Sequence, residues 1–137
     1  NTGDDSHGNI RSDFPGGWEG DEIFAKTGTG LTPESMSFQR EIRGLLQWRQ
    51  DSEAIAQGAL VHYVPEGGLY AYFRVSDDQT VMVVLNKSSE SVALDLSGFD
   101  ETMKGARRLR NVISGEEFNA DSLEVPAWAA WVLEVRN

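Results

Sequence analysis

Along the first thirty or so residues the apolar positions keep no helical or strand period, and then the pattern changes twice. From Thr32 a helix is expected. Thr32 suits the cap, Pro33 the first helical position, and Glu34 meets the positive end of the helix dipole. Phe38, Ile42, Leu45 and Leu46 recur at helical spacing and make one apolar stripe, with Arg40, Glu41 and Gln47 off it. Asp51 or Ser52 caps a further short turn through Ala54 and Ile55, ended by Gly58. From Ala59 onward short strands alternate with turns, at the spacing of a β-sandwich. Leu60–Val64 is one candidate. Leu69, Ala71, Phe73 and Val75 alternate against Tyr70, Tyr72 and Arg74, as in a half-buried strand. Thr80–Leu85 is apolar on both faces and so central. Val92, Leu94 and Leu96, then Arg107, Leu109 and Asn111, then Leu123 and Val125, and finally Ala129, Trp131, Leu133 and Val135 complete seven or eight strands.

The opening stretch, Asn1 to about Leu31, holds seven of the fourteen glycines. A structureless loop of that length is uncommon inside a compact domain and marks a functional or displaced segment. Its densest patch is Asp13-Phe14-Pro15-Gly16-Gly17-Trp18, where Pro-Gly-Gly calls for a turn between two aromatic rings.

Composition narrows the function classes. The chain has 137 residues, enough for one ordinary domain or a small domain with an appendage. A formal net charge of −10 argues against nucleic acid and anionic membranes as partners and leaves neutral ligands such as sugars. No window has the roughly 18–20 apolar residues of a membrane helix. Cysteine is absent, which removes disulfides, thiolate metal sites and cysteine nucleophiles.

The remaining chemistry is sparse. Asp77-Asp78 reads as a hairpin turn and Glu116-Glu117 follows a glycine turn, so neither reads as a catalytic pair. His7 and His62 lack ligand-spaced partners, and no metal or cofactor is expected. Gly28-Thr29-Gly30 lacks the lysine and the strand-to-helix setting of a phosphate cradle.

Several segments together resemble the end of the α-amylase family of glycoside hydrolases, nearest to its neopullulanase and cyclomaltodextrinase-like members. They are Arg11-Ser12-Asp13-Phe14-Pro15-Gly16-Gly17-Trp18, Phe38 through Leu46-Gln47-Trp48-Arg49, Ala54-Ile55 with Gly58, and Val125-Pro126-Ala127-Trp128-Ala129-Ala130-Trp131-Val132-Leu133. The resemblance implies a mainly β fold: a Greek-key β-sandwich, the amylase C-terminal domain, preceded by a loop and helix left over from the end of a (β/α)₈ barrel. It divides the chain into 1–58, the end of the catalytic barrel, and 59–137, the sandwich. It also implies an enzyme acting on α-1,4-glucans such as starch, maltooligosaccharides, cyclodextrins or pullulan. Its carboxylate nucleophile and acid lie on earlier barrel strands, so no catalytic residue is expected here.

Two residues of the first loop are the candidates for substrate binding: Arg11, through paired hydrogen bonds to sugar hydroxyls, and Trp18, by stacking on a pyranose face. The alternatives are that Arg11 pairs with Asp13 or solvent, and that Trp18 pins the loop to the barrel. Relatives often carry an Asp a few residues ahead of the Arg; here His7 stands four before Arg11, a departure from that pattern. Trp48 and Trp131 read as core or interdomain packing, and Trp128 as less determined. Tyr70 and Tyr72 share a strand face that would serve either as an accessory sugar platform or as a surface buried against the barrel.

The expected partners are thus the α-glucan substrate of the full-length enzyme and the missing barrel domain, with a homodimer through the exposed apolar surface as a further reading. The compartment is periplasmic or extracellular if the parent carries a signal peptide and cytoplasmic otherwise. Two rival functions stand beside this one: an independent carbohydrate-binding module, and a structural or interaction domain without sugar affinity.

Overall fold

The computed structural model describes residues 14–120 and 123–137. Two units pack internally, one ending at Ile42 and one running from Arg43 to Asn137.

In the first unit, the loop is folded by its own backbone. Ala25 N–H donates to the Pro15 carbonyl (3.1 Å), and Phe24 and Thr29 form an antiparallel bridge. Gly16 has φ +91°, and a Cβ there would stand 2.9 Å from Phe24 Cα, so both the turn and the close approach require glycine. Helix α1 (Pro33–Asp51) starts as its sequence dictates, with Ser35 N–H donating to Thr32 Oγ1 at 3.1 Å. Gln39 Nε2 donates to the Ala25 carbonyl at 2.6 Å and ties the loop to the helix. No residue of α1 is fully buried, and Phe38, Ile42 and Leu46 of the stripe are exposed.

The second unit is a sandwich of two antiparallel sheets. The larger has the order β1-β2-β3-β8-β5-β6 and the smaller pairs β4 with β7. The strands are β1 (Ala59–His62), β2 (Leu69–Val75), β3 (Thr80–Asn86), β4 (Val92–Leu94), β5 (Arg108–Asn111), β6 (Glu117–Asn119), β7 (Leu123–Val125) and β8 (Ala130–Arg136). The last strand enters the middle of the large sheet, between β3 and β5. Alternation places the faces as expected: Leu69, Ala71 and Phe73 are buried while Tyr70, Tyr72 and Arg74 are half-buried. β3 is central, with Val81, Met82 and Val84 all fully buried.

Between the sheets, Phe73, Met82, Val84, Leu109 and Leu133 meet Leu123 and Val125. Leu96, expected to continue β4, is buried but leads instead into a 3₁₀ turn (Ser97–Phe99) and a short helix α3 (Asp100–Met103). These close the core where the two-stranded sheet is too narrow. Phe99 packs edge-on against Tyr63 and Phe73, and Tyr63 Oη lies 2.7 Å from Thr102 Oγ1. Helix α2 (Glu53–Ala56) is fixed to the β2–β3 turn: Gln79 Oε1 accepts from Ser52 Oγ (2.8 Å) and from Ala54 N–H (3.0 Å). Arg74 donates to the Ala54 and Ile55 carbonyls and so satisfies the other end of that helix.

Candidate functional site

Of the two substrate-binding candidates, Arg11 lies outside the described residues. Trp18 is described and 69 % exposed, as is Phe14. The turn carrying it is fixed by one carboxylate, because Asp21 Oδ2 accepts from both Gly16 N–H (2.8 Å) and Trp18 N–H (3.0 Å). The backbone of Trp18 is thereby held while its indole stays free to meet another surface.

The acidic pairs carry no catalytic arrangement. Asp77 and Asp78 occupy the β2–β3 turn, closed by Ser76 N–H to the Gln79 carbonyl at 2.9 Å. Glu116 sits in the turn before β6, and Glu117 begins that strand. Among the described residues, two carboxylates are displaced from their ordinary behaviour. Asp95 is held low by the backbone N–H and hydroxyl of Ser97, which outweigh desolvation. For Glu134, burial raises the carboxyl, but hydrogen bonds from Trp48 and Arg136 and the charges of Arg136 and Arg110 together bring it below its ordinary value. A general acid would need the opposite shift. Among the described residues no group of His, Asp or Glu is placed to hold a metal ion.

Glu134 has a structural task instead. Its Oε1 accepts from Trp48 Nε1 at 2.7 Å and its Oε2 from Arg136 at 2.6 Å. Trp48 is thereby tied to the outer face of the large sheet. Beside it opens a cleft of about 550 Å³, lined by Ile55, Leu60, Tyr70, Tyr72, Arg74 and Val132 among others. The Tyr70 and Tyr72 rings lie 5.6 Å apart but are inclined by 36°, so they share no flat platform. Trp131 faces the other way and stacks on Phe118 at 4.8 Å against the core.

Trp128, in the β7–β8 connection, behaves differently. It is 68 % exposed and has φ +57°, a left-handed conformation that costs a non-glycine residue about 1–2 kcal/mol. The connection is held from beneath by Asn86, only 4 % exposed. Asn86 Nδ2 donates to the carbonyls of Glu90 (2.9 Å), Val125 (3.0 Å) and Pro126 (2.9 Å), while its Oδ1 accepts from Ser88 N–H and Oγ. Trp128 N–H donates to the Ser88 carbonyl at 3.2 Å. Sequence reasoning missed this junction. Nothing local in the sequence tells which carbonyls Asn86 collects, since they lie up to forty positions away.

Residues 60–134 match the family model of the cyclo-malto-dextrinase C-terminal domain. The chain belongs to this family. Its fold is shared with AmyP, solved in complex with maltose (TM-score 0.69, 13 % identity, covering 80 % of this chain and 22 % of that one). It is shared also with the α-amylase of Geobacillus thermoleovorans complexed with acarbose (TM-score 0.64, 18 % identity, 77 % and 24 %). The trehalulose synthase MutB of Pseudomonas mesoacidophila MX-45 is a third (TM-score 0.56, 24 % identity, 77 % and 21 %). The chain spans less than a quarter of the length of each of these proteins. It is a C-terminal domain of the α-amylase-family glycoside hydrolases, mainly β and preceded by a helix.

Proposed function

We propose that this chain is the non-catalytic C-terminal part of a glycoside hydrolase acting on α-1,4-glucans, and that its sandwich stabilises a catalytic barrel. The observation that carries the reading is the sandwich itself, shared with far longer proteins solved with maltose or acarbose. The exposed Phe38, Ile42 and Leu46 on α1 support it, since an amphipathic helix forms its apolar stripe to be covered. In this reading residues 1–58 are the end of the barrel and 59–137 the sandwich. Arg11 and Trp18 then lie on the substrate side, and hydrolysis depends on carboxylates elsewhere in the parent polypeptide.

The test compares two proteins. The 137-residue chain should release no reducing ends from amylose above the uncatalysed rate, while the polypeptide translated from its whole reading frame should hydrolyse amylose. Turnover by the 137-residue chain, or a whole-frame product inert on amylose, pullulan and cyclodextrins alike, would overturn the proposal.

A further inference from the structure

Surface aromatic residues scattered singly need no explanation, but Trp128 is not merely exposed. Among the described residues only it and Lys104 combine a side chain with positive φ, and Lys104 is the left-handed cap of α3, a common helix ending. Trp128 ends no helix. Its conformation is imposed by the buried Asn86, which gathers carbonyls from both connections, and by the bond of its own N–H to the Ser88 carbonyl. Glycine or asparagine would relieve the strain and remove apolar surface from water. What the tryptophan adds is therefore directed outward: a large, flat indole face carried on a backbone that the fold already holds.

From this we propose that Trp128 is the platform of an accessory glucan-binding site on the sandwich, with a pyranose ring stacked on the indole. The inference rests on the reading of the chain as part of an α-glucan hydrolase. The indole face is electron-rich and attracts the weakly positive C–H groups of a sugar ring, as it attracts cations. The formal charge of −10 disfavours anionic ligands and leaves a neutral polyol unopposed. The binding role is distinct from that of Trp18, which belongs to the first unit, and requires no chemistry at the site.

Isothermal titration of the 137-residue chain with maltoheptaose, beside cellohexaose as a β-linked control, tests the inference. Maltoheptaose should bind saturably and cellohexaose should not. Trp128→Gly should weaken binding about tenfold or more while leaving the melting temperature unchanged or raised, because glycine adopts φ +57° without strain. Trp128→Asn, which also tolerates this backbone, should lose binding likewise, so the result does not hang on one variant. The inference is overturned if maltoheptaose fails to bind, if Trp128→Gly binds as the parent does, if cellohexaose binds equally, or if Trp18→Ala rather than Trp128→Gly abolishes binding. None of these results bears on hydrolysis by the whole-frame polypeptide, so the two proposals fail separately.

Discussion

Two polar side chains, one half-buried and one buried, make contacts that no local pattern announces. Glu134 holds Trp48 through a bond of 2.7 Å and is flanked by Arg136 and Arg110. Because its folded carboxyl titrates below the ordinary 4.5, its contribution to stability is complete above that pH and is lost as pH falls through the lower folded value. Trp48→Phe removes the hydrogen bond to a charged acceptor and should cost about 1–2 kcal/mol in urea unfolding at pH 7. Glu134→Gln should flatten the decline of melting temperature between about pH 5 and pH 3, and an unchanged slope would show that Glu134 is not a source of acid sensitivity. Asn86 is the second such residue. Asn86→Ala leaves the carbonyls of Glu90, Val125 and Pro126 each with one donor, Ser88 Oγ, Ser91 Oγ and Ala129 N–H, in place of two, and should destabilise by about 1–3 kcal/mol, measured by chemical denaturation.

At the scale of elements, the junction of helix and sandwich depends on Gly58. A Cβ there would lie 2.4 Å from the Ala54 carbonyl oxygen and 2.9 Å from the Val75 carbonyl, both backbone atoms that cannot swing aside. Gly58→Ala should therefore cost about 1–3 kcal/mol, seen as a lower urea midpoint with unchanged slope. The sequence signalled this glycine as a helix stop, whereas the structure makes it also the point of contact with β2. The same contrast holds elsewhere. β2, β3 and β8 were legible because each has one or both faces committed to the core over seven residues. The three-residue strand β6 was not, since two of its residues are exposed and only Phe118 turns toward the core, with no alternation to detect. Helix α3 was hidden for a related reason: Leu96, Phe99 and Met103 cover the core in an irregular spacing set by the gap beside β4 and β7. Of the sites, the turn before Trp18 was legible from Pro-Gly-Gly, while the exposure of its indole was not part of that reading. The Trp48–Glu134 bond did not, because it joins residues 86 positions apart.

For the whole molecule, the question is what its exposed apolar side chains do in water. Phe38 is 66 % exposed, Leu46 51 % and Ile42 41 %, all on one stripe of a helix that buries none of its nineteen residues. If a catalytic barrel covers this stripe in the parent polypeptide, the 137-residue chain alone presents it to solvent and should self-associate. Formal charge opposes this, since −10 on a chain of 15.1 kDa repels copies over the Debye length, about 10 Å at 0.1 M salt. Association should thus strengthen with salt, the reverse of an interface built on ion pairs. The triple substitution Phe38→Glu, Ile42→Lys and Leu46→Gln should leave the chain monomeric at all salt concentrations with little change in melting temperature, because side chains already in water contribute little to the fold. Light scattering from 0.05 to 1 M sodium chloride distinguishes the outcomes. A parent chain monomeric throughout would mean that the stripe is not an adhesive surface, and would remove one support for a missing covering partner. In the whole-frame polypeptide the same three changes should instead lower the unfolding temperature, since there they would strike a buried contact.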